Sequence, residues 1–119
     1  MTRRFLLAAW LLGASSAVAL AQGASGLTLE LEGPAQRTRV AYACTNGPDL
    51  TVEYVNLPGN TMAILPVEGR ATLFVGLLSA SGAKYASGPY VWWTKGNRGD
   101  LYDERVGDPK QNVVCRVRR

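Results

Sequence analysis

Residues 83–103 read AKYASGPYVWWTKGNRGDLYD, and the fold is decided by how this stretch is divided. Ala83–Ala86 is a short segment ended by Gly88-Pro89, Tyr90–Lys95 is rich in aromatic residues, and Gly96-Asn97-Arg98-Gly99 breaks the chain before Asp100–Asp103. Aromatic and β-branched residues suit a pleated surface, and Gly, Pro and Asn punctuate it with turns. The spacing predicts three short strands joined by tight turns. Side chains alternate in direction along a strand, so Trp92 and Trp93 point to opposite faces. One belongs to the core. The other, sharing a face with neighbours such as Val91 and Lys95, either stands on the outer surface or packs under a loop.

The same rhythm extends in both directions. Upstream, Thr38–Cys44 alternates with Val40, Tyr42 and Cys44 on one face. Leu50–Val55 does so with Leu50, Val52 and Tyr54, and Thr61–Leu65 and Ala71–Leu78 follow. The turns between them fall at Asn46–Asp49, Pro58–Asn60 and Glu68–Gly69, and the loop Ser79–Gly82 leads into the opening stretch. Downstream, a polar loop through Gly107-Asp108-Pro109 precedes Val113–Arg118, with Val113, Cys115 and Val117 on the inner face. Leu27–Glu32 is a first strand or an extended lead-in, stopped by Gly33-Pro34. No amphipathic helix is evident. This pattern predicts an all-β fold: a small sandwich or, preferably, an antiparallel β-barrel of about eight strands, since closure removes the exposed edges a small sheet must otherwise protect.

The chain of 119 residues contains no histidine. That excludes a Ser-His-Asp or Cys-His nucleophile, a histidine proton shuttle and a histidine metal site. The N-terminus has a basic start at Arg3-Arg4, an apolar run from Phe5 to Leu12 and small residues at Ala19-Leu20-Ala21. It reads as a secretory signal cleaved after Ala21. Residues 1–21 are then the signal, 22–36 a lead-in, and 37–119 the folded domain. An uncleaved anchor is the alternative. A lipidated form would need a cysteine after the apolar run, where Gln22 and Gly23 stand, so a soluble periplasmic domain without a stable membrane anchor is expected. Removing Arg3 and Arg4 lowers the net charge from +4 to +2, too little to argue for nucleic acid. The Arg116–Arg119 tail reads as a solvated terminal strand.

Export delivers both cysteines, Cys44 and Cys115, to an oxidising compartment, and a disulfide between them is the natural inference. Each lies on the apolar parity of its strand. Closing so long a loop is worth on the order of 4 kcal/mol in the chain-entropy treatment, enough to decide whether a domain this small folds. A redox pair of free thiols would be expected to show a C-x-x-C spacing, which is absent.

Ser81-Gly82-Ala83-Lys84 matches the S-x-x-K of serine β-lactamases, but that motif needs Ser and Lys on one helical turn of a far larger enzyme. Here a glycine follows the serine and strands flank both. A general Ser/Lys dyad lacks an evident oxyanion pocket. An exposed tryptophan could instead serve a periplasmic module that binds glycan or peptidoglycan.

The Ser-x-Ser-Gly-Ala-Lys-Tyr motif at 79–85, followed by Tyr-x-Trp-Trp-Thr-Lys-Gly-Asn at 90–97, lies in a domain that opens with Tyr42-Ala43-Cys44 and ends near Cys115. It resembles the MliC/PliC family, the membrane-bound or periplasmic inhibitors of c-type lysozyme. The resemblance implies a small disulfide-linked β-barrel that is not an enzyme, binds no cofactor or metal, and has c-type lysozyme as its protein partner. It also implies that Ser81 and Lys95, fourteen positions apart, enter the lysozyme cleft. Gly82 and Gly96 would let the two loops approach closely. Tyr85 and Tyr90 would shape those loops and add apolar contact area. This chain departs from the membrane-bound branch in lacking a lipobox cysteine.

Overall fold

The computed structural model describes residues 8–9, 11–17 and 26–119; the expected cleavage point after Ala21 lies outside them. Eight strands follow one another: β1 (Gln36–Cys44), β2 (Leu50–Leu57), β3 (Asn60–Val67), β4 (Arg70–Leu77), β5 (Ala83–Ser87), β6 (Tyr90–Lys95), β7 (Arg98–Asp103) and β8 (Val113–Val117). Each pairs antiparallel with its neighbour in sequence, and β8 returns to β1, giving a closed up-and-down barrel. The closing seam is short, pairing Tyr42–Cys44 with Cys115–Val117, so closure covers the edge of β1 at that end and leaves its first residues without a β8 partner.

The strands expected from alternation are all present, several longer at their ends. Several bounds need correction: Asn60, read as a turn residue, begins β3, and β4 stops at Leu77, one residue before Leu78. Arg98 and Gly99, read as turn residues, begin β7, where they pair with Lys95 and Thr94. The last strand stops at Val117, one residue before Arg118. The polar loop before β8 contains a short 3-10 turn, Pro109–Gln111. It is capped by Asp108, whose carboxylate accepts from the Lys110 amide at 3.0 Å, and the proline supplies a preset φ at the first position.

The inner face is aromatic at its centre. Trp92 is fully buried and meets Tyr42 edge-on at 5.1 Å between ring centroids. Its indole N–H donates to the Tyr54 hydroxyl at 3.0 Å, and the Tyr54 and Tyr42 hydroxyls share a hydrogen bond of 2.7 Å. Burial pushes the Tyr54 hydroxyl far above its ordinary titration range, so these groups act as neutral hydrogen-bonding partners. Phe74, Leu65 and Val52 complete the packing around them.

Cys44 stands opposite Cys115 in the β1–β8 register and is bonded to it. The disulfide therefore fastens the seam at which the barrel closes.

Leu27–Glu32 is an extended lead-in without strand pairing. Leu27, Leu29 and Leu31 line a cavity on the outside of the barrel together with Val55, Met62 and Leu73. That covering explains why Val55 and Met62, which point outward by parity, are buried at 6% and 8% exposure.

Candidate functional site

Because the strands alternate up and down, the connections sort to two ends of the barrel. One end carries the Pro58–Gly59 turn, the β4–β5 loop from Leu78 to Gly82 and the Gly96–Asn97 turn. Ser81 and Lys95 are both at this end. The β5–β6 register pairs Ala83 with Thr94, so Ser81 lies just before one strand and Lys95 just after the pairing residue of its neighbour.

The Ser81 loop is fastened to β6 through its backbone. The Ser81 carbonyl accepts from the Ser79 hydroxyl at 2.6 Å and from the Trp93 indole N–H at 3.0 Å. Gly82 follows with φ +68, and a Cβ there would lie 2.2 Å from the Thr94 carbonyl oxygen. Only glycine allows both that left-handed conformation and that approach. The serine side chain is left outside: Ser81 is exposed, and its hydroxyl forms no hydrogen bond among the described residues. The loop backbone is thus constrained while the serine hydroxyl is left able to act as donor or acceptor.

Lys95 ends β6 and is exposed, and among the described residues its ammonium enters no ion pair. Gly96 after it has φ +58, with open space where a Cβ would be; it serves the turn and not a close approach.

Five of the arginines are differently employed. Arg98 binds Asp100 through two hydrogen bonds of 2.8 and 3.1 Å, Arg105 binds Asp103, Arg37 and Arg39 flank Glu53, and Arg118 binds Asp49. The Arg37 guanidinium holds the Glu53 carboxyl below its usual range, and Arg105 does the same to Asp103.

Two expected contact residues turn their side chains into the barrel, away from its outer surface. Tyr85 points into the barrel at 6% exposure, its ring tilted against Tyr54, and burial raises its hydroxyl pKa. Tyr90 also faces inward, and it follows the Gly88–Pro89 turn at the opposite end, where its hydroxyl reaches Glu68 at 3.4 Å. Strand parity explains both: Tyr85, Tyr90 and Trp92 share the inner face.

Trp93 is the outward tryptophan, 37% exposed, with the Lys84 ammonium 5.1 Å from its ring centre. Its role in holding the Ser81 carbonyl was not anticipated from the sequence, although the Trp-Trp pair required one indole to face outward. Leu77 and Leu78 were also missed. They are 50% and 100% exposed at the base of the Ser81 loop, an apolar flank that ordinary burial does not account for.

Comparison with known proteins adds an independent line. Residues 42–110 match the model of the family described as MliC, membrane-bound lysozyme-inhibitor of c-type lysozyme. A membrane-bound lysozyme inhibitor of C-type lysozyme from Pseudomonas aeruginosa is 48% identical over 81 residues, 66% of this chain and 64% of that protein. One of the same description from Cupriavidus necator is 48% identical over 64 residues, 54% of this chain and 51% of that protein. The chain thus spans less than two-thirds of the length of either relative. The crystal structure of Pseudomonas aeruginosa MliC in complex with hen egg white lysozyme superposes with a TM-score of 0.65 at 38% identity. It covers 78% of this chain and 94% of that one.

Proposed function

This chain belongs to the MliC family, and we propose that it is a non-enzymatic inhibitor of c-type lysozyme that inserts Ser81 and Lys95 into the lysozyme cleft. The observation that carries the reading is the placement, at one end of the barrel, of an exposed hydroxyl and an exposed ammonium that have no partner among the described residues, on a barrel similar to one solved in complex with hen egg white lysozyme.

Retaining glycosidases of the lysozyme type use two closely spaced carboxyl groups, one protonated acid and one ionised. The Lys95 ammonium supplies a charge-assisted donor to the ionised group. The Ser81 hydroxyl donates to the ionised group or accepts from the protonated one. Occupying both removes the acid and the nucleophile together and excludes the polysaccharide. The constrained Ser81 backbone lowers the ordering entropy lost on binding, and Leu77 and Leu78 supply apolar area beside the inserted residues. No proton transfer is asked of the inhibitor, in keeping with a chain that has no histidine.

Residues 1–21 act as a cleaved export signal in this reading, leaving a periplasmic domain. Among the described residues no helix is long and apolar enough to cross a membrane. Mass spectrometry of the exported protein should find Gln22 at the N-terminus; retention of the leader or an attached lipid contradicts this assignment.

The functional test is a cell-lysis assay with a c-type lysozyme beside a g-type one. The purified domain should abolish lysis by the c-type enzyme and spare the other. Full c-type activity in the presence of excess domain defeats the proposal.

A further inference from the structure

On the outer face of β6, β7 and β8, Trp93, Lys95, Arg98, Asp100, Tyr102 and Asn112 line an open groove of about 440 Å³. A second concavity of about 320 Å³ shares Tyr102 and Asn112 and continues toward Val106 and Pro109. We propose that this groove is a second binding site, for an oligosaccharide that carries a carboxylate. It goes beyond the inhibition of lysozyme, since most of its lining lies on β7 and in the loop before β8.

The case rests on what the walls offer. Trp93 and Tyr102 stand on the outward parity of neighbouring strands, Trp93 opposite Asp100 and Tyr102 opposite Val91. They flank the polar floor as aromatic surfaces on which the C–H faces of a pyranose can stack. The indole is held in place by its hydrogen bond to Ser81, and Lys84 approaches it from the β5 side, so the ring is already ordered before a ligand arrives.

Between the aromatics, Arg98 and Asp100 form a two-point ion pair. Such a pair leaves outward N–H groups beside carboxylate lone pairs, a combination that matches vicinal hydroxyls, each of which donates and accepts. The Asn112 amide adds one more donor and acceptor. Lys95 at one end brings the positive charges of the first part to two against the one of Asp100, and Glu104, which lines the continuation, is faced by the Lys84 ammonium at 4.0 Å. That surplus suits a single carboxylate and is too small for a polyanion such as nucleic acid. The continuation past Tyr102 gives length for more than one sugar ring.

The probes are the N-acetylglucosamine–N-acetylmuramic acid disaccharide, which bears a carboxylate, and neutral N,N′-diacetylchitobiose, each titrated into the folded domain. Tryptophan fluorescence and amide chemical shifts report binding. The muramic acid disaccharide should bind saturably and more tightly than the neutral one, with shifts centred on Trp93, Tyr102 and Asn112. Tyr102→Ala should weaken it about tenfold, and Asn112→Ala, a milder surface change, should weaken it less. Both variants should inhibit lysozyme as the parent does, which separates the Tyr102 and Asn112 part of the groove from the Ser81–Lys95 site, with which the groove shares Lys95. Absence of saturable binding, or binding untouched by both substitutions, overturns the proposal. Equal affinity for the two sugars overturns the carboxylate assignment.

Discussion

The Ser81 loop and the Lys95 turn sit side by side at one end of the barrel but are built by opposite means. The Ser81 loop is tied through its carbonyl to Ser79 and Trp93, and its glycine is pressed against the Thr94 carbonyl. The Lys95 turn needs only a left-handed glycine at position 96, with open space around it. A short polar side chain reaches only as far as its backbone allows, so the backbone must be placed. A lysine carries its charge on a flexible four-carbon stem and can find its partner from a simpler turn. The contrast predicts that substitutions in the two segments fail in different ways.

Gly82→Ala should have the largest effect. It adds a Cβ 2.2 Å from a backbone oxygen at a residue in the left-handed region, for a combined destabilisation of about 2–4 kcal/mol. Urea unfolding should show this loss, with inhibition lost as well. Gly96→Ala is the matched control, paying only the conformational penalty of about 1–2 kcal/mol. If the two variants unfold alike, the close approach of the Ser81 loop has been misjudged.

Lys95→Ala should leave unfolding unchanged yet weaken inhibition by at least about thirtyfold, because it strands an ionised carboxylate in the occupied cleft. Ser81→Ala removes one neutral hydrogen-bonding group and should cost about fivefold to tenfold. Trp93→Phe retains most of the ring but deletes the donor to the Ser81 carbonyl. It should weaken inhibition to a degree similar to Ser81→Ala, whereas the Lys95 contribution, measured in a double-mutant cycle, persists.

Acid should have the smallest effect. Glu53 and Asp103 have folded-state pKa values below their ordinary ones because of Arg37 and Arg105. The stability they contribute is present above the ordinary carboxylate range and is lost as pH falls through the lowered values. Both side chains are partly exposed, at 20%, and paired with exposed arginines, so the acid limb of a thermal-denaturation series should fall gently. A steep loss near neutral pH would point to another group.

Much of the barrel was legible because its strands are short, alternating and divided by Gly, Pro and Asn. The parity of Val40-Tyr42-Cys44 and Val113-Cys115-Val117 even brings the two cysteines to one face, where they are bonded. Alternation is less informative where both faces are apolar or both are mixed. In Ala83–Ser87 it does not say that Tyr85 faces inward, and so Tyr85 was read as an interface residue. Tyr90 lies away from the Ser81 loop for a different reason: nearness in sequence to Trp92 and Lys95 conceals that a six-residue strand carries its two ends to opposite ends of the barrel. The tertiary covering of Val55 and Met62 by the lead-in was equally hidden, since Leu27-Thr28-Leu29-Glu30-Leu31 alternates without naming what it covers. At the site, the Ser81 and Lys95 side chains came from motif resemblance. The contacts of Ser79 and Trp93 with the Ser81 carbonyl depend on backbone groups that sequence does not display.

The most direct measurement is a titration of c-type lysozyme with the parent domain and with the Ser81→Ala/Lys95→Ala double variant, each checked for an intact barrel by near-ultraviolet circular dichroism. The parent should inhibit stoichiometrically, and the double variant, equally folded, should leave lysozyme active at the same concentrations. A folded double variant that inhibits as well as the parent would contradict the assignment of the site to these two side chains.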